Sequence, residues 1–160
     1  MDASFSADEH FRLGMEALER NDHRDALDHF RVADNLDPTR PSFRSYHGLC
    51  LGIVDRRFGE ALEMCRSAAK EEFFNPALYH NLARVHFVFG FKTEGIRYLR
   101  RGLMIDPGNA QIRSEFGHLG VRTKPVLGFL RREHVFNRWL GLLRNRARLD
   151  AQPVLEPFRI

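Results

Sequence analysis

The side chains in this 160-residue sequence best suited to metal capture or nucleophilic chemistry are eight histidines and two cysteines. His10, His23, His29, His47, His80, His86, His118 and His134 are spread along the chain. A zinc hydrolase motif places two imidazoles one helical turn apart with a glutamate between them, and no HExxH is present. His80 and His86 stand six positions apart, so a helix would aim them in different directions. Cys50 and Cys65 have no CxxC partner and read as reduced, apolar residues. No GxSxG, phosphate-binding loop or GxGxxG occurs. The acidic residues alternate with basic ones, as on solvated helix faces, and no carboxylate pair stands out. The expectation is a protein that is not an enzyme, with no cofactor and no metal.

What remains is recognition chemistry by guanidinium, imidazole, amide and aromatic groups, which works only if the backbone holds them on one face. The sequence repeats in a way that would do so. Leu13-Gly14, His47-Gly48, Leu82-Ala83 and Phe116-Gly117 each place a small residue after a larger one, at spacings of 34, 35 and 34. Ala26, Ala61 and Gly95 follow within each of the first three units. A bulkier residue comes four positions later (Phe30, Cys65, Leu99), and a small one three further on (Ala33, Ala68, Gly102). The first and third units close with Leu36-Asp37-Pro38 and Ile105-Asp106-Pro107. Small residues let paired helices approach closely, and proline ends the second helix by removing a donor and clashing with the preceding turn. A pair with an apolar face it cannot bury alone must stack on its neighbour. Cap residues agree: Ser6-Ala7-Asp8-Glu9 has capping-box form, Asn75 precedes a first-turn proline, and Asn109 follows Pro107. The pattern predicts helices near 7–20, 23–36, 41–54, 58–71, 76–89, 92–105 and 109–121.

Gly14, Ala17, Ala26, Phe30, Ala33 and Pro38 resemble a tetratricopeptide repeat, as do Tyr79, Leu82, Ala83, Gly95, Leu99, Gly102 and Pro107. The units are 7–40, 41–75 and 76–109, with a half-repeat at 110–121. Unit 41–75 departs from the pattern by one extra residue near Val54–Arg57 and by Phe73 where the closing proline would stand. The resemblance implies an all-α fold, a right-handed solenoid of antiparallel helix pairs. The first helix of each pair would line a groove that binds an extended or helical partner peptide.

On those first helices, the stripe left over by stacking runs at three- and four-residue steps. It holds Phe11, Met15 and Leu18; then Ser42, Ser45, Tyr46 and Leu49; then His80, Asn81, Arg84 and Phe87; then Ser114, His118 and Arg122. The apolar end would suit an apolar anchor. The cationic end would suit a carboxylate. Some tetratricopeptide domains clamp a C-terminal carboxylate with lysine and asparagine. Asn81 resembles one such asparagine, but Phe11 and Met15 stand where the first unit would need lysine and asparagine, so a clamp of that kind is not expected. The competing reading packs Phe11, Met15 and Leu18 under neighbouring segments and leaves Arg84 and Arg122 solvated.

Composition bounds the rest. Hydrophobic content of 43% with 29% charged residues is ordinary for a globular domain. No stretch approaches a membrane span and the N-terminus has no signal-peptide form, so a cytoplasmic protein is expected. Net charge is +4, unevenly placed: residues 1–120 carry 16 basic and 18 acidic groups, whereas 121–149 carry 8 and one. The expected division is therefore 1–121, the repeat domain, and 122–160, a basic extension packed on the last repeat with a mobile end. Within it, Val135, Phe136, Trp139, Leu140, Leu142 and Leu143 follow one helical face near 134–148, surrounded by Arg131, Arg132, Arg138, Arg144, Arg146 and Arg148, with Lys124 upstream. It could cap the solenoid, fold back along the groove, or contact an anionic surface. The function read from the sequence is a protein-interaction scaffold for a protein or peptide partner. The alternatives are a secretion-type chaperone for an apolar client, and a peripheral adaptor that meets anionic lipid or nucleic acid through the basic tail. The sequence does not fix the oligomeric state.

Overall fold

In a computed structural model, residues 5–119 are described. They lie within one compact unit, Met1–Leu119. Seven helices follow in order: α1 (Ala7–Glu19), α2 (His23–Leu36), α3 (Pro41–Val54), α4 (Phe58–Glu71), α5 (Pro76–Val88), α6 (Lys92–Ile105) and α7 (Ala110–His118). No strand occurs among the described residues. The predicted extension 122–160, with Arg122 and the basic tail residues, lies outside them, as do positions 120 and 121 of the last predicted helix.

Local chemistry sets the helix boundaries. The Ser6 hydroxyl accepts from the Glu9 amide at 3.2 Å, Asp22 from Asp25 at 3.1 Å, Asn75 from Ala77 at 3.1 Å and Asn109 from Ile112 at 3.1 Å. Each satisfies a donor that the first turn leaves unpaired. Pro41 and Pro76 occupy first turns, where a missing N–H costs nothing. The three turns inside the pairs reverse through a left-handed residue at equivalent positions: Asn21 (φ 59°), Arg56 (φ 58°) and Gly90 (φ 80°). The extra residue of the second unit is taken up as helix, since α3 has 14 residues where α1 and α5 have 13.

Helices pair as α1–α2, α3–α4 and α5–α6, and successive pairs stack through α2 on α3, α4 on α5, and α3 directly on α5. The small residues sit at these crossings. A Cβ on Gly14 would stand 2.7 Å from Cε1 of Phe30, and one on Gly48 would stand 2.8 Å from Met64 Cβ and 3.0 Å from the Ala61 carbonyl oxygen. Ala83 is wholly buried with Leu99 and Ile112. The core runs through the stack as neighbouring clusters. One gathers Ala17, Ala26, Leu27, Phe30, Cys50 and Leu51; the next gathers Leu49, Ala61, Cys65, Leu78, Leu82 and Val85. Pairs are also bonded to one another across the stack, as where His47 Nδ1 on α3 lies 2.9 Å from Asp34 Oδ2 on α2.

Candidate functional site

The candidate site is the face built by α1, α3, α5 and α7, the first helices of successive units. At its N-terminal end, Phe11 lies 4.8 Å from the Phe43 ring, 5.4 Å from Phe30 and 5.3 Å from Tyr46, centroid to centroid. Tyr46 in turn lies 5.3 Å from Phe30. Phe11, Met15, Leu18 and Tyr46 are therefore half-buried, with one side on the core cluster and one side reachable. They form the margin of the core and not a free-standing apolar stripe.

Four residues of the predicted stripe lie elsewhere. Leu49 is fully buried among Ala61, Cys65, Leu78, Leu82 and Val85. Asn81 is 1% exposed and donates from Nδ2 to Ser45 Oγ at 3.2 Å; Ser45 is itself fully buried. Phe87 turns its ring onto Gly95 of α6, where a Cβ would collide with it. The physical reason is common to all four. α3 is flanked by α2, α4 and α5, and α5 by α3, α4 and α6, so the spare stripe on each is narrower than one face of an isolated helix pair.

At the C-terminal end the face becomes polar. His80 Nε2 on α5 meets Glu115 Oε2 on α7 at 2.6 Å. Ser114 Oγ and His118 Nε2 lie 3.4 Å apart. Burial acts to raise the Glu115 carboxyl, but the His80 hydrogen bond together with the charges of His80, Arg84 and His118 outweighs it and holds the group below its ordinary value. Glu115 is thus an ionised carboxylate in a cationic setting. Arg84, partly buried on α5, reaches further still. Its field acts on Tyr46 and Cys50 of α3, on His23 at the start of α2, and on Glu115 of α7. Tyr46 is nonetheless raised, because burial exceeds the pull of Arg84.

Sequence reasoning missed Glu115 and Phe43, and placed Phe30 in the repeat pattern but not beside the face. The repeat period held a signal for the first. Equivalent positions on successive first helices adjoin, and His80 and Glu115 are 35 apart, as Ser45 and Asn81 are 36 apart. The two thiols offer no nucleophile: burial pushes Cys50 and Cys65 each up to about 12. Among the described residues, no group of three or more His, Cys, Asp or Glu side chains is arranged to hold a metal ion. No helix among them is long and apolar enough to cross a membrane. What the face can do chemically is hold a polar or charged group beside aromatic surface.

No protein-family model and no curated protein matches the sequence. Solved structures do match the fold, which is that of tetratricopeptide-repeat proteins. One is YrrB, described as a TPR protein with an unusual peptide-binding site; it is 16% identical, with a TM-score of 0.56 over 71% of this chain and 58% of that one. This chain thus spans less than two-thirds of YrrB. A second is the first TPR domain of human RPAP3, 17% identical, with a TM-score of 0.58 over 71% of this chain and 88% of that one. A third is the first TPR of Spaghetti (RPAP3) bound to the HSP90 peptide SRMEEVD, 17% identical, with a TM-score of 0.56 over 71% and 90%.

Proposed function

We propose that this protein is a non-enzymatic scaffold that captures a peptide or helical segment of a partner protein on the α1/α3/α5/α7 face. The observation that carries this reading is the polar centre of His80, Arg84 and Glu115, joined on one face to the half-buried margin of Phe11, Met15 and Tyr46. Aromatic anchors beside a desolvated charge are the composition of binding hot spots. Two proteins of the same fold, YrrB and RPAP3, are described with a peptide site or a bound peptide, which supports the reading for this chain. The polar centre favours a partner segment with a polar or acidic group placed to meet Arg84 and the imidazoles, and an apolar residue to reach Met15. Oppositely charged, hydrogen-bonded contacts of this kind contribute about 1.5–3 kcal/mol each.

Affinity capture with the full-length protein, followed by mass spectrometry, tests this. A Met15→Glu, Arg84→Glu double variant with an unchanged helical circular dichroism spectrum should recover roughly tenfold less of the specific partner. Equal recovery by both proteins would remove this face as the binding site.

A further inference from the structure

The α4–α5 turn is built unlike its counterparts. Pro38 and Pro107 close the first and third units, whereas the second carries Phe73 and then Phe74. Both rings face solvent, at 53% and 74% exposure, with centroids 4.1 Å apart. The turn that presents them is pinned: the Tyr79 hydroxyl donates to the Phe73 carbonyl at 3.2 Å, and the Asn75 amide donates to the Glu72 carbonyl at 3.1 Å. Glu71, Glu72, Phe73, Phe74, Asn75 and Pro76 together line a shallow, open depression of about 500 Å³. An exposed aromatic pair on a fixed turn, over a shallow depression, has the form of a surface docking patch and not of a loosely packed core residue.

Charge decides the occupant. The hollow has two ionisable groups. Glu71 is already ion-paired with Arg44 at 2.7 Å. Glu72 is held by neutral donors: Asn75 Nδ2 at 2.9 Å and Ser42 Oγ at 3.5 Å. Among the described residues no cation lies in ion-pair contact with Glu72, so the site presents one oriented negative charge in the depression that the two phenylalanines also line. A carboxylate next to an aromatic face is complementary to a guanidinium, which can fork onto the oxygens and lie flat on a ring at once. Lysine satisfies only the point charge, and an anionic ligand is repelled.

We propose that this turn is a second docking point, which takes an arginine and an adjoining apolar side chain from a partner protein. It lies at the N-terminal ends of α3 and α5 and does not depend on the α1/α3/α5/α7 face being a binding site. The probe is the peptide acetyl-Leu-Arg-Leu-amide, titrated into the ¹⁵N-labelled full chain. Saturable shifts are expected at the amides of Phe73, Phe74 and Asn75. Glu72→Gln and Phe74→Ser should each weaken binding by roughly tenfold, on the scale of one lost charge-assisted contact. Arg84→Glu should leave the shifts unchanged. Phe74 is mostly exposed, so its replacement tests the site without disturbing the core. Shifts that do not localise to this turn, that are equally strong with acetyl-Leu-Glu-Leu-amide, or that survive both turn substitutions would overturn the proposal.

Discussion

His86 is 6% exposed, and neither of its ring nitrogens has a hydrogen-bond partner among the described residues. It lies stacked 5.3 Å from Tyr98, with Phe58 and Phe91 edge-on at 5.9 and 6.1 Å. Burial lowers its pKa from the ordinary 6.5 and the charge of Arg66 adds to the fall, while Glu94 opposes it. The folded state therefore keeps the imidazole neutral where the unfolded chain would protonate it. As the pH drops below 6.5 the unfolded state binds more protons, so stability is lost, and the loss levels off once the folded imidazole titrates too. His23, lowered by burial and by Arg84, acts in the same direction. Glu115, held below its ordinary value of 4.5, adds stability above that pH which is lost in more acid solution. Chemical denaturation at pH 7.5 and 5.5 should show the drop, and His86→Phe should make it smaller. An equal drop in wild type and variant would mean that His86 does not titrate on unfolding. None of this was visible in the sequence, where His86 is one of eight scattered histidines and its aromatic neighbours come from α4, α6 and the α5–α6 turn.

Helix pairing rests on glycines that do different jobs, and their substitutions separate the jobs. Gly48 faces a backbone oxygen and a Cβ on α4, neither of which can rotate away, so Gly48→Ala should cost about 1–3 kcal/mol through overpacking. Gly90 has nothing within 4 Å of a built Cβ but holds φ at 80°, so Gly90→Ala should cost about 1–2 kcal/mol by conformational strain alone. Gly59 has neither constraint inside the first turn of α4, and Gly59→Ala should be stabilising by up to about 1 kcal/mol. Thermal melts of the three variants give the order directly; Gly48→Ala melting above Gly59→Ala would contradict it. Gly48 belongs to the 34-to-35-residue spacing and was legible, as were the caps Ser6, Asn75 and Asn109, because both follow from local chemistry. The left-handed turn at Arg56 was not legible, since nothing in an arginine signals positive φ.

At the scale of the whole chain, the period of the sequence predicted which helices stack, and with it the tetratricopeptide fold of residues 5–119. It predicted the binding face less well. The stripe reading treated each first helix as having a full free face, whereas α3 and α5 are enclosed on three sides; Leu49, Ser45 and Asn81 became core in consequence. The residues that line the face, Phe11, Met15, Tyr46, His80, Arg84 and Glu115, come from four helices, and only the folded stack brings them together. Hydrogen exchange on the full-length protein, alone and with its captured partner, tests the proposed face most directly. Added protection should fall in peptides covering 7–19, 41–54, 76–88 and 110–118. Protection confined to 58–71 and 92–105, the second helices, would place the partner on the opposite side of the stack and contradict the account.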